Sequence, residues 1–259
     1  MIGGRTRSLV AGQRRSTSIV AHRPWPLPRG PWVMGQTWED LVFLHWRVSA
    51  DALRRVVPPQ LPIDTFDGHA WLGITPFVLR GLRLRGTPPL PLVSTFPELN
   101  VRTYATLDRK PGIYFLSLDA ASPLAVAGAR LLYRLPYHRA TIEARRVGGR
   151  VQYRRTRQAG RSAPAELEAE YGPMGPVFHA RAGSLEHWLT ERYCLYTLDE
   201  RLEPRRADIH HPPWPLQDAQ VELRRNSMAL SVGIELRGGP LAHFARRQDV
   251  VIWPLRRHG

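Results

Sequence analysis

The chain has 259 residues, 43% of them apolar, which suits one large domain or two small ones with a sizeable buried core. Formal net charge is +15, but of the 37 basic residues only Lys110 is a lysine. Such an arginine bias points to a GC-rich genome, and pairs such as Arg145-Arg146, Arg224-Arg225 and Arg246-Arg247 are scattered along the chain, so no polyanion-binding block stands out. The lone cysteine, Cys194, excludes an internal disulfide and fits a reducing cytoplasm, and no stretch approaches the roughly 20 apolar residues of a membrane span.

Residues 1–21 are basic and free of acidic side chains, and Leu9-Val10-Ala11 is too short an apolar run for a secretory signal. They read as a disordered extension, with a single domain over 22–259. His22 to Trp32 holds four prolines and two tryptophans and should pack as an extended strap anchored by Trp25 and Trp32. A strand is expected from Gln36 to Val48. Ser49 then caps a short helix that Pro58-Pro59 stops. Asp67-Gly68 is a hairpin signal, and Ala70 to Leu84 is a strand candidate broken by Pro76 and Gly81.

Phe96 to Leu107 and Ile113 to Leu118 read as strands joined by the turn Asp108–Gly112. Ser122-Pro123 opens a helix whose Leu124, Val126, Ala127, Leu131 and Leu132 are apolar enough to predict burial. Gly148-Gly149 turns one strand into the next. Ser184 caps another short helix, and Glu191 to Leu198 is a strand. Later strands are expected near Ala207–His210, Gln220–Leu223, Met228–Glu235 and Gln248–Trp253. Many strands, three short helices and no βαβ rhythm predict an α+β fold, mostly antiparallel β and barrel-like.

Strand alternation places Glu98, Asn100, Arg102 and Tyr104 on one face and Leu99 and Val101 on the other. Inside a barrel that polar face could hold a carboxylate or carbonyl, with Arg102 as anion clamp and Glu98 as general acid or base. On a solvated sheet the same pattern would only make surface ion pairs. His45 and His138 are further polar candidates. No HExxH, CxxC or His-x-His spacing suggests a metal, no GxSxG suggests a serine nucleophile, and the Gly-rich stretches lack phosphate-loop spacing. No metal and no cofactor are therefore expected, and Cys194, in an apolar run, reads as a buried inert thiol.

Several segments together resemble the YqjF-like family, a domain of unknown function (2071). They are His22–Trp32, Thr65–Gly73, Phe96–Tyr104, Ser117–Val126, Trp188–Tyr193 and His210–Leu216. At greater distance the chain is similar to acetoacetate decarboxylase, through Pro28–Pro31, Ser49–Asp64, Pro97-Glu98 and Leu118–Arg139. That resemblance implies a cone-shaped β-barrel with a closed central pocket and minor helices, with Glu98 as a pocket residue. The decarboxylase forms a Schiff base on one of two adjacent lysines. Here Tyr137 and His138 stand at those positions, to within one residue, and Lys110 lies in a predicted turn.

The expectation is a barrel that binds or converts a small oxo or carboxylate metabolite without imine chemistry, as a lyase, isomerase or hydrolase. Glu98, His138 and Tyr137 would be catalytic, and Arg102, Asn100, Tyr104 and His45 would bind the ligand. A non-catalytic small-molecule-binding or scaffold protein is the alternative, and a basic nucleic-acid or anionic-membrane binder a third reading. The expected partner is a small molecule, with no nucleic acid and no membrane. The resemblance leaves a homo-oligomer open.

Overall fold

The computed structural model describes residues 2–90, 93–157 and 164–257. In chain order the elements are α1 (Ile2–Ser16), β1 (Met34–Val48), α2 (Ala50–Arg54), β2 (Ala70–Leu84), β3 (Phe96–Leu107), β4 (Lys110–Ala120) and α3 (Pro123–Tyr133). There follow β5 (Tyr137–Arg139), β6 (Thr141–Val147), β7 (Arg150–Arg157), β8 (Ala165–Phe178), α4 (Leu185–Thr190), β9 (Cys194–Leu198) and β10 (Pro204–His210). The chain ends through β11 (Leu216–Asn226), a 3-10 turn at Leu230–Val232, β12 (Leu241–Ile252) and β13 (Arg256–Arg257).

The strands form one mostly antiparallel sheet that closes on itself. Among the described residues β10, β9, β4, β3, β2, β1 and β12 pair in that order, and Ile209 and His210 of β10 pair back onto β12 to complete a ring. From β12 the sheet continues through β11, β8, β7 and β6, whose inner face packs on the outside of the ring. Tyr153, Leu167 and Tyr171 there meet Leu44, Ile74, Leu99 and Val101 in one buried cluster. A second cluster lies inside the ring, with Phe43, Phe77, Phe96, Leu118, Tyr137, Trp214 and Ile252 among its members.

Two bulges keep the ring's inner face continuous. Asp40, at φ 52°, lies where the register of β1 against β2 shifts by one residue, so Trp38 before it and Leu41, Phe43 and His45 after it face the same interior. Asp tolerates the left-handed region better than most residues, and Arg146 and Arg246 hold its carboxylate. Gly81, at φ 61°, does the same for β2, putting Leu79 and Leu82 on one wall. The expected break at Pro76 and Gly81 is thus a bulge at Gly81 within one unbroken strand.

Four other expectations change. Residues 2–16 are a helix, where a disordered extension was expected, because Gln13 plugs into the sheet. Its amide donates to Gly81 O (3.2 Å) and Thr37 Oγ1 (3.3 Å) and accepts from Arg83 Nε (2.7 Å). Gly35 is required beneath it, since a Cβ there would collide with Gln13 Oε1. Helix α3 is apolar but only partly buried: Val126 and Tyr133 are buried, whereas Leu124, Leu131 and Leu132 are exposed. Residues 228–235 hold the 3-10 turn, not a strand. Ala165–Phe178, for which no strand was expected, is a long strand.

Gln13→Ala should cost roughly 1–3 kcal/mol, because it strands buried donors of Arg83 and removes bonds that dock α1. Chemical denaturation of the two proteins measures this, and an unchanged midpoint would show that α1 adds nothing to the fold.

Candidate functional site

The ring encloses a cavity of about 450 Å³, within the usual range for small-molecule sites. Its walls are mostly apolar: Phe77, Leu79, Phe96, Ile113, Phe115, Leu118, Leu135, Leu195, Ile209 and Ile252. The opening lies between α3, which contributes Leu124, Gly128 and Leu132, and the loop after β2, which contributes Thr87, Pro88 and Leu90.

The polar groups come from β3 and its neighbours, as alternation predicts. Glu98, Asn100 and Arg102 line the cavity, and Thr75 of β2 stands beside Asn100 in register. All four are buried, and Glu98 Oε2, Asn100 Oδ1, Thr75 Oγ1 and Arg102 Nε have no hydrogen-bond partner among the described residues. Tyr137 of β5 donates its hydroxyl to Glu98 Oε1 at 3.1 Å. Tyr153 donates to the Glu98 backbone carbonyl from outside the ring at 2.8 Å. Arg130 of α3 donates to the Tyr137 carbonyl (2.7 Å), tying the helix at the opening to the strand that carries the phenol.

Burial pushes the Glu98 carboxyl up to about 8, against the downward pull of the Tyr137 hydrogen bond and with some help from the charge of Asp119. Near pH 7 Glu98 is therefore mostly a neutral acid. Tyr137 keeps its own proton, since burial and then the neighbouring Glu98 hold its hydroxyl well above the ordinary tyrosine value. With Oε1 taking that hydroxyl's hydrogen, the acid proton belongs on Oε2, on the side without a protein partner.

Arg102 is 5% exposed and has no carboxylate within ion-pair distance among the described residues. Its guanidinium lies 5.0 Å from the Phe43 ring centre and donates one bond to Leu189 O at 3.3 Å. Behind it, Tyr104 and His45 share a 2.8 Å hydrogen bond, and Tyr104 also donates to Leu189 O. Burial, then the charge of Arg102, holds His45 well below the usual histidine range, so it is neutral. His45 Nδ1 has no hydrogen-bond partner among the described residues. Gly73 makes this packing fit, because a Cβ there would lie 3.2 Å from His45 Cδ2 and 3.3 Å from Arg102 Cγ.

The structure thus brings Glu98, Tyr137, Asn100 and Arg102 to one cavity, and corrects three placements. His45 and Tyr104 do not line it; they buttress Arg102 from behind. His138 does not line it either. Neighbours on a strand face opposite ways, so with Tyr137 turned inward His138 turns outward, toward Asp119, Arg155 and Arg157. Its partner across the parallel pairing is Asp119, which is fully buried and ion-paired with Arg155 (2.5 Å) and Arg157 (3.0 Å). Thr75 and Phe43 escaped the sequence reading, although pairing the β2 and β3 alternations in register would have found Thr75.

Lys110 opens β4 at the hairpin after Asp108 and Arg109, both at positive φ, and is not among the cavity residues. The chain's one amine side chain is therefore outside the site. Burial pushes the Cys194 thiol up to about 12, as fits an unreactive core thiol.

This fold is similar to that of solved acetoacetate decarboxylases and of MppR. MppR, an enduracididine biosynthesis enzyme solved with the condensation product of pyruvate and imidazole 4-carboxaldehyde, matches with TM-score 0.61 at 14% identity, covering 88% of this chain and 90% of MppR. Acetoacetate decarboxylase of Legionella pneumophila matches with TM-score 0.59 at 11% identity over 95% of both chains. The chain belongs to the DUF2071 family, an uncharacterized conserved protein family matched over residues 35–249. It is 45% identical over 232 residues to the uncharacterized protein YqjF of Bacillus subtilis (strain 168), spanning 89% of this chain and 95% of YqjF.

Proposed function

We propose that the protein binds a small oxo or carboxylate metabolite in its ring, read as the cone-shaped barrel of the decarboxylase-like fold, and converts it by proton transfer without an imine. Glu98 carries this reading: a buried acid on the cavity wall, neutral near pH 7, with Tyr137 on Oε1 and Oε2 without a hydrogen-bond partner among the described residues. Glu98 would donate its proton to a carbonyl oxygen and become a carboxylate that Tyr137 already supports. Taking a proton back, from the ligand's α-carbon or from water, restores it. That chemistry suits an isomerase or a lyase acting through an enol.

The site lacks the amine on which a Schiff base would form, which separates this reading from that of the decarboxylases. We place the protein in the cytoplasm on the strength of its single buried thiol. We retain no role for nucleic acid, because the arginine pairs are scattered along the chain and several of their members are held in local ion pairs, as Arg146 and Arg246 are with Asp40. Among the described residues no helix is long and apolar enough to cross a membrane.

Exchange of α-hydrogens for deuterium in a panel of oxo acids, followed by proton NMR, tests the proposal. The wild type should catalyse exchange, and Glu98→Gln should lose about 100-fold or more while still binding the same compounds. Equal rates in both proteins would overturn it. A second reading, ligand binding without turnover, is favoured by the outward orientation of His138, which leaves Glu98 and Tyr137 without a histidine partner in the cavity. It predicts binding by both proteins and exchange by neither.

A further inference from the structure

The polar groups of the cavity are arranged in levels, not gathered at a point. In register across β2 and β3, Leu79 stands beside Phe96, Phe77 beside Glu98, Thr75 beside Asn100, and Gly73 beside Arg102. Same-face residues on a strand rise by about 6.6 Å per level, so Glu98 and Arg102 are separated by roughly 13 Å along β3. The Arg102 side chain does not close that gap, because it leans away toward Phe43, Tyr104 and Leu189 O. A three- or four-carbon acid cannot touch both groups.

Beyond Glu98 the walls are apolar through Phe77, Phe96 and Leu79 to the opening. There Leu84, Leu90, Leu124 and Leu132 line the cavity while remaining 57–67% exposed. The volume of about 450 Å³, at about 30 Å³ per water-sized group, holds about 15 non-hydrogen atoms. The innermost group is a buried guanidinium with no carboxylate partner among the described residues, and the outermost surface is leucine.

We infer that the ligand is an extended, medium-chain carboxylate, its head on Arg102, an oxygen-bearing carbon beside Glu98, and its apolar tail running out between α3 and the loop after β2. This deepens the proposed function and rests on the same cavity. One guanidinium balances one carboxylate, so the head is a monoanion. Asn100 and Thr75, midway, offer an amide and a hydroxyl to a polar substituent on the intervening chain. The tail needs no fixed length, because the opening is exposed apolar surface.

Isothermal titration of butanoate, hexanoate, octanoate, decanoate and octan-1-ol into the full-length protein tests this. Affinity should rise about fourfold per methylene along the acid series, since each buried methylene adds a constant increment. Octan-1-ol should bind far more weakly than octanoate, and Arg102→Gln should remove that difference. Gly128→Leu supplies a size-selective check. A Cβ at Gly128 meets nothing within 4 Å, and leucine suits the helix, so this variant should fold. It should weaken decanoate and leave butanoate unchanged.

Affinity independent of chain length, or octan-1-ol binding as tightly as octanoate, would overturn the inference. The two proposals fail separately. Short oxo acids undergoing Glu98-dependent exchange with no chain-length effect would sink the chain inference and keep the acid chemistry. A clean chain-length series in both wild type and Glu98→Gln, with exchange in neither, would do the reverse.

Discussion

Replacing Glu98 with glutamine is expected to make the protein more stable at neutral and mildly alkaline pH, by an amount that grows with pH. The unfolded chain releases this proton near 4.5, while the folded protein holds it to about 8. Between those values the native state carries the extra proton, so stability falls as pH rises through the window and levels off above it. At 1.36 kcal/mol per pKa unit, the accumulated loss is roughly 3–5 kcal/mol near pH 8. Glutamine keeps the shape and does not titrate. The stability difference between the two proteins should be small below pH 4.5 and widen in favour of the glutamine variant up to about pH 8. Urea denaturation at a series of pH values measures it, and because other titrating groups act alike in both proteins, the difference isolates Glu98. Parallel curves would mean that Glu98 ionises at its ordinary value and is no neutral acid.

Arg102→Met is the second large effect, with opposite signs on stability and binding. The guanidinium is buried without a carboxylate partner among the described residues, at the cost of desolvation. A methionine of similar reach would keep the contact with Phe43 and remove that cost, so stability should hold or rise, by about 1–4 kcal/mol. Carboxylate binding should fall by about 2–5 kcal/mol, as it does when one side of a buried charge pair is removed. A residue present only for packing would move both quantities the same way. Loss of stability together with unchanged octanoate binding would remove Arg102 from the site.

The inner face of β3 could be read from the sequence because alternation is a local rule. Glu98, Asn100 and Arg102 on one side and Leu99 and Val101 on the other follow from a period of two. The orientation of Tyr137 and His138 could not. A strand of three residues has no alternation of its own to anchor it, and a shift of one residue exchanges the two faces. Only the parallel pairing of β5 with β4 settles which side chain enters the ring.

Helix α3 misled for a related reason. Its composition reads as buried, yet it lies across the opening, where leucines face both the cavity and solvent. Nor did α1 carry a local signal. A helix rich in arginine and glycine looks solvated, and the docking rests on one amide, Gln13, whose partners lie in β1 and β2. The bulge at Asp40 is long-range in the same sense, because only the pairing of β1 with β2 shows that the register shifts there.

Near physiological pH a neutral carboxylic acid, Glu98, stands at the wall of an apolar pocket. The direct measurement is the protonation state of Glu98, from infrared difference spectra or carbon-13 NMR of side-chain carboxyls, comparing wild type with Glu98→Gln. A protonated-carboxyl signal is expected at pH 7 that is absent from the variant and titrates near pH 8, in keeping with a value of about 8. A Glu98 signal already ionised at pH 6 would contradict it.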